Sequence, residues 1–150
     1  MYNEILDEYN HMIWENRIEE LKIMIAAGDD AVDLNDVDRM GRTMLVQAVE
    51  STEFSEDNGI FKPQKRWLDF IEWLLNQGTN PNLPENNPPI EYTLDCESVT
   101  NNQQEGIYDM TDILLLLKKY GADCTKYDEY IISDVQNRLN YKRDKNNERI

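Results

Sequence analysis

The sequence predicts an all-α fold: a helical solenoid of about three degenerate repeats, closed by a capping helix at each end. Three observations predict it. Apolar residues recur at helical spacing in three stretches: Ile18, Leu21, Ile25; then Trp67, Phe70, Ile71, Leu74, Leu75; then Ile113, Leu114, Leu117. Each stretch runs into a glycine, at Gly28, Gly78 and Gly121, where a left-handed residue closes a helix. Those glycines lie 50 and 43 residues apart, the scale of a helical pair lengthened by insertions.

The elements follow in order. Tyr2–Trp14 reads as an atypical first helix that caps residues 15–126, the repeats. Ile18 onward is the second helix of a first repeat. Gly41 then makes a turn, and Thr43 is placed to accept from the free N–H groups that begin the next helix. Leu45 and Ala48, three apart, share a face of that helix, and the small Ala48 admits a close neighbour. Its partner helix is expected from about Trp67 to Gln77, before the turn-rich "TNPNLPENNPP". Two insertions, Ser51–Arg66 and Asn101–Ile107, fall between the helices of successive pairs, on one side of the stack, where they could form a joint surface. Phe54, Ile60 and Phe61 in the first insertion either dock back on the stack or meet a partner. Residues 127–141 read as a closing helix with Tyr130, Ile131, Val135 and Leu139 inward, and 142–150 as a frayed tail. Leu45, Ala48, Ile71, Leu74, Leu75, Ile90, Leu114 and Leu117 are expected to form a continuous core.

Length and composition narrow the function classes. A chain of 150 residues, 40% apolar, reads as one domain. No apolar run is long enough to span a bilayer, and "MYNEILDEYN" lacks the basic and apolar regions of a signal peptide. Cys96 and Cys124 sit in no metal-like or CxxC pattern, which fits buried thiols and a cytoplasmic location. The net charge is −15 and its signs are segregated. Trp67–Leu117 holds nine acids and no Lys or Arg, Gly28–Asp38 holds five Asp, and Asn137–Ile150 holds five basic residues and two acids. Segregation favours steering of a cationic partner, and direct nucleic-acid binding, which needs clustered Lys and Arg, is disfavoured.

The residues resemble the ankyrin repeat family. Asp38, Gly41, Thr43, Leu45 and Ala48 match the opening of that family's unit, with Met44 and Val46 in place of its Pro and His. "LLNQGTNPN" from Leu74 and "LKKYGADCT" from Leu117 match its close, and "PPIEYT" from Pro88 is a worn version of its opening. The resemblance implies a projecting β-hairpin finger and binding through finger tips and the exposed face of first helices. It therefore implies partner-binding residues at Asp29, Asp30, Asp33, Asp36 and Asp38 in the finger. Arg42, Gln47 and Glu50 would follow on one first helix, and Glu91, Tyr92 and Asp95 on the next. Tyr92 is either an interface anchor or a partly packed aromatic.

Catalytic and metal chemistry find little footing. His11 is the only histidine and has no nucleophile nearby in sequence. "DVDRMG" from Asp36 has calcium-loop spacing at its start, but Met40 and Gln47 stand where that loop needs an oxygen ligand and a bidentate Glu. No cofactor, metal or catalytic residue is expected. The expected function is protein binding: the small, strongly acidic chain resembles immunity proteins, which implies an inhibitor, monomeric when free, that occludes the active surface of a basic, toxin-like partner such as a nuclease. A general adaptor or host-directed effector, a DNA mimic and a hydrolase or transferase on a helical scaffold are the alternatives.

Overall fold

The structure, a computed structural model, describes residues 3–28, 32–93 and 107–123. Helix α1 spans Glu4–Trp14, its N-terminus capped by the Asn3 side chain, which accepts from the Ile5 N–H at 3.0 Å. Leu6, Tyr9, Met12 and Ile13 return every three or four residues and are buried. Helix α2, Ile18–Ala27, ends at Gly28 with φ of 68°. Helix α3, Met44–Ser51, starts where expected: Thr43 Oγ1 accepts from the Val46 N–H at 3.2 Å. Helix α4, Lys65–Asn76, buries Trp67, Phe70, Ile71, Leu74 and Leu75. A helical segment begins at residue 89, and helix α5 spans Thr111–Lys119.

Helix α1 packs against α2 and α3, α3 against α4, and α4 against α5. One apolar cluster runs through all five helices. The eight expected core residues are all buried; six belong to that cluster, while Ile90 and Leu114 are buried outside it. Gly78 and Gly121, with φ of 95° and 98°, follow α4 and α5 as Gly28 follows α2.

The expected all-α solenoid is corrected: the fold is mixed α/β. The first insertion is a β-hairpin, β1 Phe54–Asp57 paired antiparallel with β2 Ile60–Pro63, and β3 Ile107–Tyr108 adds to β2 in parallel. The cause is local. Asn58 and Gly59 both adopt positive φ, 54° and 81°, which matches the turn to the twist of the strands, and Phe54, Ile60 and Phe61 suit a pleated, half-buried surface. The two insertions thus meet through β2 and β3. Phe54 packs on the core, Ile60 is buried, and Phe61 stacks on Tyr108 with centroids 4.8 Å apart. A second correction concerns the finger. Residues 32–43 form turns with no strand, so the implied β-hairpin finger is absent from the described residues. The closing helix expected at 127–141, the tail, and both cysteines lie outside the described residues.

One constellation recurs. The Asn35 side chain donates to the Gly78 carbonyl and accepts from the Asn80 N–H at 2.6 Å. The Asn82 side chain donates to the Gly121 carbonyl and accepts from the Asp123 N–H at 2.6 Å. Each bridging asparagine is itself held by a side chain two residues earlier, Asp33 or Asn80, which accepts from its N–H at 2.9 Å. The post-helix glycines are therefore the repeated stations of a bridge that ties each loop to the next.

Candidate protein-binding surface

The eleven residues expected to bind a partner divide into three groups. Asp29, Asp30 and Asp95 lie outside the described residues. Asp33 and Asp36 are exposed, in the turns before α3. The others are drawn into the fold to different degrees.

Asp38 is buried, 6% exposed, and is no partner-facing charge. Its Oδ1 accepts from the N–H groups of Met40 and Arg42, both at 2.9 Å, and its Oδ2 accepts from Asn10 Nδ2 at 2.9 Å. Asn10, also buried, donates in addition to the Arg42 carbonyl. The carboxylate closes the turn that Gly41 makes at φ 79° and ties it to α1. A buried charge demands such donors, because leaving it unpaired costs several kcal/mol (roughly 3–5).

Arg42, Gln47, Glu50 and Tyr92 are brought together as one polar network. Arg42 Nη1 donates to Glu50 Oε2 at 2.8 Å and to Gln47 Oε1 at 3.2 Å. Gln47 is buried and passes its amide N–H on to Ser51 Oγ at 2.8 Å. The Tyr92 hydroxyl accepts from Asn87 Nδ2 at 2.7 Å and donates to Glu50. Burial, then the Glu50 carboxylate, hold the Tyr92 hydroxyl above its ordinary pKa, with Arg42 and Asn87 opposing. Tyr92 also packs its ring against the core. Gln47 is thereby removed from any open face, and Tyr92 is half covered. Glu91, half-exposed, stands beside it.

The exposed acidic edge extends further than the expected finger. The Asn3 N–H donates to the Val37 carbonyl at 3.0 Å, so the first turn of α1 adjoins the 32–38 loop. Asp7 Oδ1 accepts from the Arg39 N–H at 2.7 Å. Glu4 and Glu8, four apart on one helical face, are exposed at this junction. Their spacing was visible in "NEILDE"; only the proximity of the two segments was not. Among the described residues, Glu4, Glu8, Asp33 and Asp36 have no Lys or Arg within ion-pair distance. Some acids elsewhere are matched, Glu53 by Arg66, Asp69 by Lys65 and Glu72 by Lys119, while exposed Glu56, Asp57, Glu85 and Asp112 stand singly or in one pair without a described cation.

Other features offer less. His11 is exposed, stacks on Trp14 and lies 3.4 Å from Glu15. Among the described residues no three His, Cys, Asp or Glu side chains gather as metal ligands. A groove of about 260 Å³ between α4 and α5 has Leu68, Leu115 and Leu116 as its apolar lining and Asp69, Glu72 and Asp112 beside them. No helix among the described residues is long and apolar enough to cross a membrane. Comparison with known proteins finds no match: no family model, no curated protein and no solved structure is similar to the chain.

Proposed function

We propose that the chain is a non-catalytic protein-binding module that recognises a basic protein through its acidic edge. In this reading it is a cytoplasmic inhibitor of the immunity-protein kind: it holds a toxin-like partner whose own active surface is basic. The observation that carries the reading is the cluster of exposed acids, Glu4, Glu8, Asp33 and Asp36, where the 32–38 loop meets α1; no described Lys or Arg lies within ion-pair distance of them, and the nearby Arg39 pairs with Asp7 instead. Carboxylates matched by intramolecular cations exert little field outside the protein, whereas unmatched ones steer a cationic partner and raise its association rate. The ankyrin resemblance and the repeated asparagine bridge support it, since stacked loops of that kind present adjacent tips to one partner.

The test is affinity capture followed by kinetics. The native protein and a variant with Asp29, Asp30, Asp33 and Asp36 all changed to Asn are immobilised and exposed to a lysate of the native host. A basic protein retained by the native chain and released by moderate salt, but passing the variant, supports the reading. Equal retention by both proteins, or retention of acidic proteins alone, refutes it.

A further inference from the structure

We propose that Asn58 is a site of spontaneous self-modification, in which the Gly59 backbone nitrogen displaces the Asn58 side-chain amide and Glu56 takes up the proton. Asn58-Gly59 is the only Asn-Gly pair in the chain. It forms the tip of the β1–β2 hairpin, and Asn58 is exposed there. Gly59 has no side chain to shield its nitrogen. That nitrogen is already engaged by a carboxylate: the Gly59 N–H donates to Glu56 Oε1 at 2.7 Å. A proton acceptor within hydrogen-bond reach of the proton it removes meets the geometric requirement for base assistance. The hairpin is short and β1 is an outer strand of its sheet, so the tip needs little disruption for Asn58 to leave its left-handed conformation and bring its side-chain carbonyl to Gly59.

The chemistry balances with water alone. The Gly59 nitrogen bonds to Asn58 Cγ while its proton passes to Glu56. The Cγ–Nδ2 bond then breaks, and the amide nitrogen, taking that proton, leaves as ammonia. Water opens the resulting five-membered imide at either carbonyl. One opening yields Asp at position 58. The other yields an isoaspartyl link, in which the chain runs through the side-chain carbon. Both add a negative charge. The isoaspartyl link also adds a backbone atom to a turn whose register pairs Asp57 with Ile60 and Glu56 with Phe61. It would loosen the strand that carries Phe61 onto Tyr108, and with it the junction of the two insertions.

The experiment incubates the full chain at 37 °C and mildly alkaline pH and follows amide loss by intact mass and peptide mapping. Asn58 should be modified before any other asparagine, giving both Asp and isoaspartyl products. Gly59→Ala should slow the reaction, and Glu56→Gln should slow it several-fold. The same comparison in urea separates the fold from the sequence: there native and E56Q chains should react at equal rates. Amide loss starting elsewhere overturns the proposal. So does an E56Q protein that reacts at the native rate when folded, or one that remains slower than native in urea.

Discussion

The 32–38 loop and the α3 face that meets Tyr92 carry the same kinds of residue and use them in opposite ways. On the α3 face every charge has an internal answer. Arg42 is bonded to Glu50 and Gln47, and Glu50 also takes the Tyr92 hydroxyl. In the loop and the adjoining part of α1, Asp33, Asp36, Glu4 and Glu8 face solvent and no described Lys or Arg pairs with them, the nearby Arg39 being held by Asp7. Asp38 sits between the two regions and belongs to neither: its carboxylate is buried and fully engaged by backbone and amide donors. Acidity alone therefore does not mark an interface. An acid matched inside the protein stabilises the fold, and an acid left unmatched at the surface is available to a partner.

Substitutions can break this comparison. The largest effect is expected at Asp38. Asp38→Ala should cost about 3 kcal/mol in urea unfolding, because it leaves the backbone N–H groups of Met40 and Arg42 without their side-chain acceptor and the buried Asn10 amide with only the Arg42 carbonyl. Asp36→Ala, two residues away, should stay within about 0.5 kcal/mol of native. Equal effects at the two positions would erase the distinction between the buried and the exposed aspartate.

Next comes Gly78→Val, with an expected cost of about 1–3 kcal/mol by the same measurement. Space is not the cause, as a Cβ at Gly78 would meet nothing within 4 Å; the cost arises from φ of 95°. The variant should also perturb the Asn35 bridge, which uses the Gly78 carbonyl.

A smaller effect is expected from Tyr92→Phe, and its signature is in pH. The folded Tyr92 pKa is raised, first by burial and then by Glu50. Below the ordinary tyrosine pKa, near 10, both states are protonated and its stabilising contribution is complete. As pH rises from there through the folded value, the unfolded chain binds fewer protons than the native one, and stability falls. Tyr92→Phe should flatten that alkaline decline while leaving the neutral-pH midpoint slightly lower, through loss of the hydroxyl's bonds to Asn87 and Glu50. An unchanged alkaline slope would place Tyr92 outside the network.

Much of the helical layout was legible in the sequence. Periodicity locates α2, α4 and α5, and the three glycines that end those stretches follow the helices with positive φ, as a helix stop requires. The sequence marks Thr43 as an N-cap, and it accepts from the Val46 N–H. The hairpin was legible too, since Asn58-Gly59 between apolar strand formers is a strong turn signal. The helical-repeat reading treats residues 51–66 only as an insertion and takes no account of that signal. What local sequence does not encode is which polar groups meet. Asn10 lies 28 residues before Asp38, and Asn82 lies 39 before the Gly121 carbonyl it meets. Nothing in either neighbourhood distinguishes them from solvated asparagines. The same limit makes Asp38 indistinguishable in sequence from Asp33 and Asp36: five nearby aspartates look alike until the fold buries one of them.

The central claim, that the unmatched acids of the loop attract a cationic partner, is tested most directly by association kinetics across a salt series. The basic protein recovered by affinity capture is the analyte, and surface plasmon resonance compares the native chain with the variant in which Asp29, Asp30, Asp33 and Asp36 are Asn. Exposed charges act over about a Debye length, roughly 8 Å at physiological ionic strength. The account predicts a slower association rate and a flatter salt dependence for the variant, with nearly unchanged dissociation and unchanged folding stability. Identical association rates and salt slopes for the two proteins would contradict it.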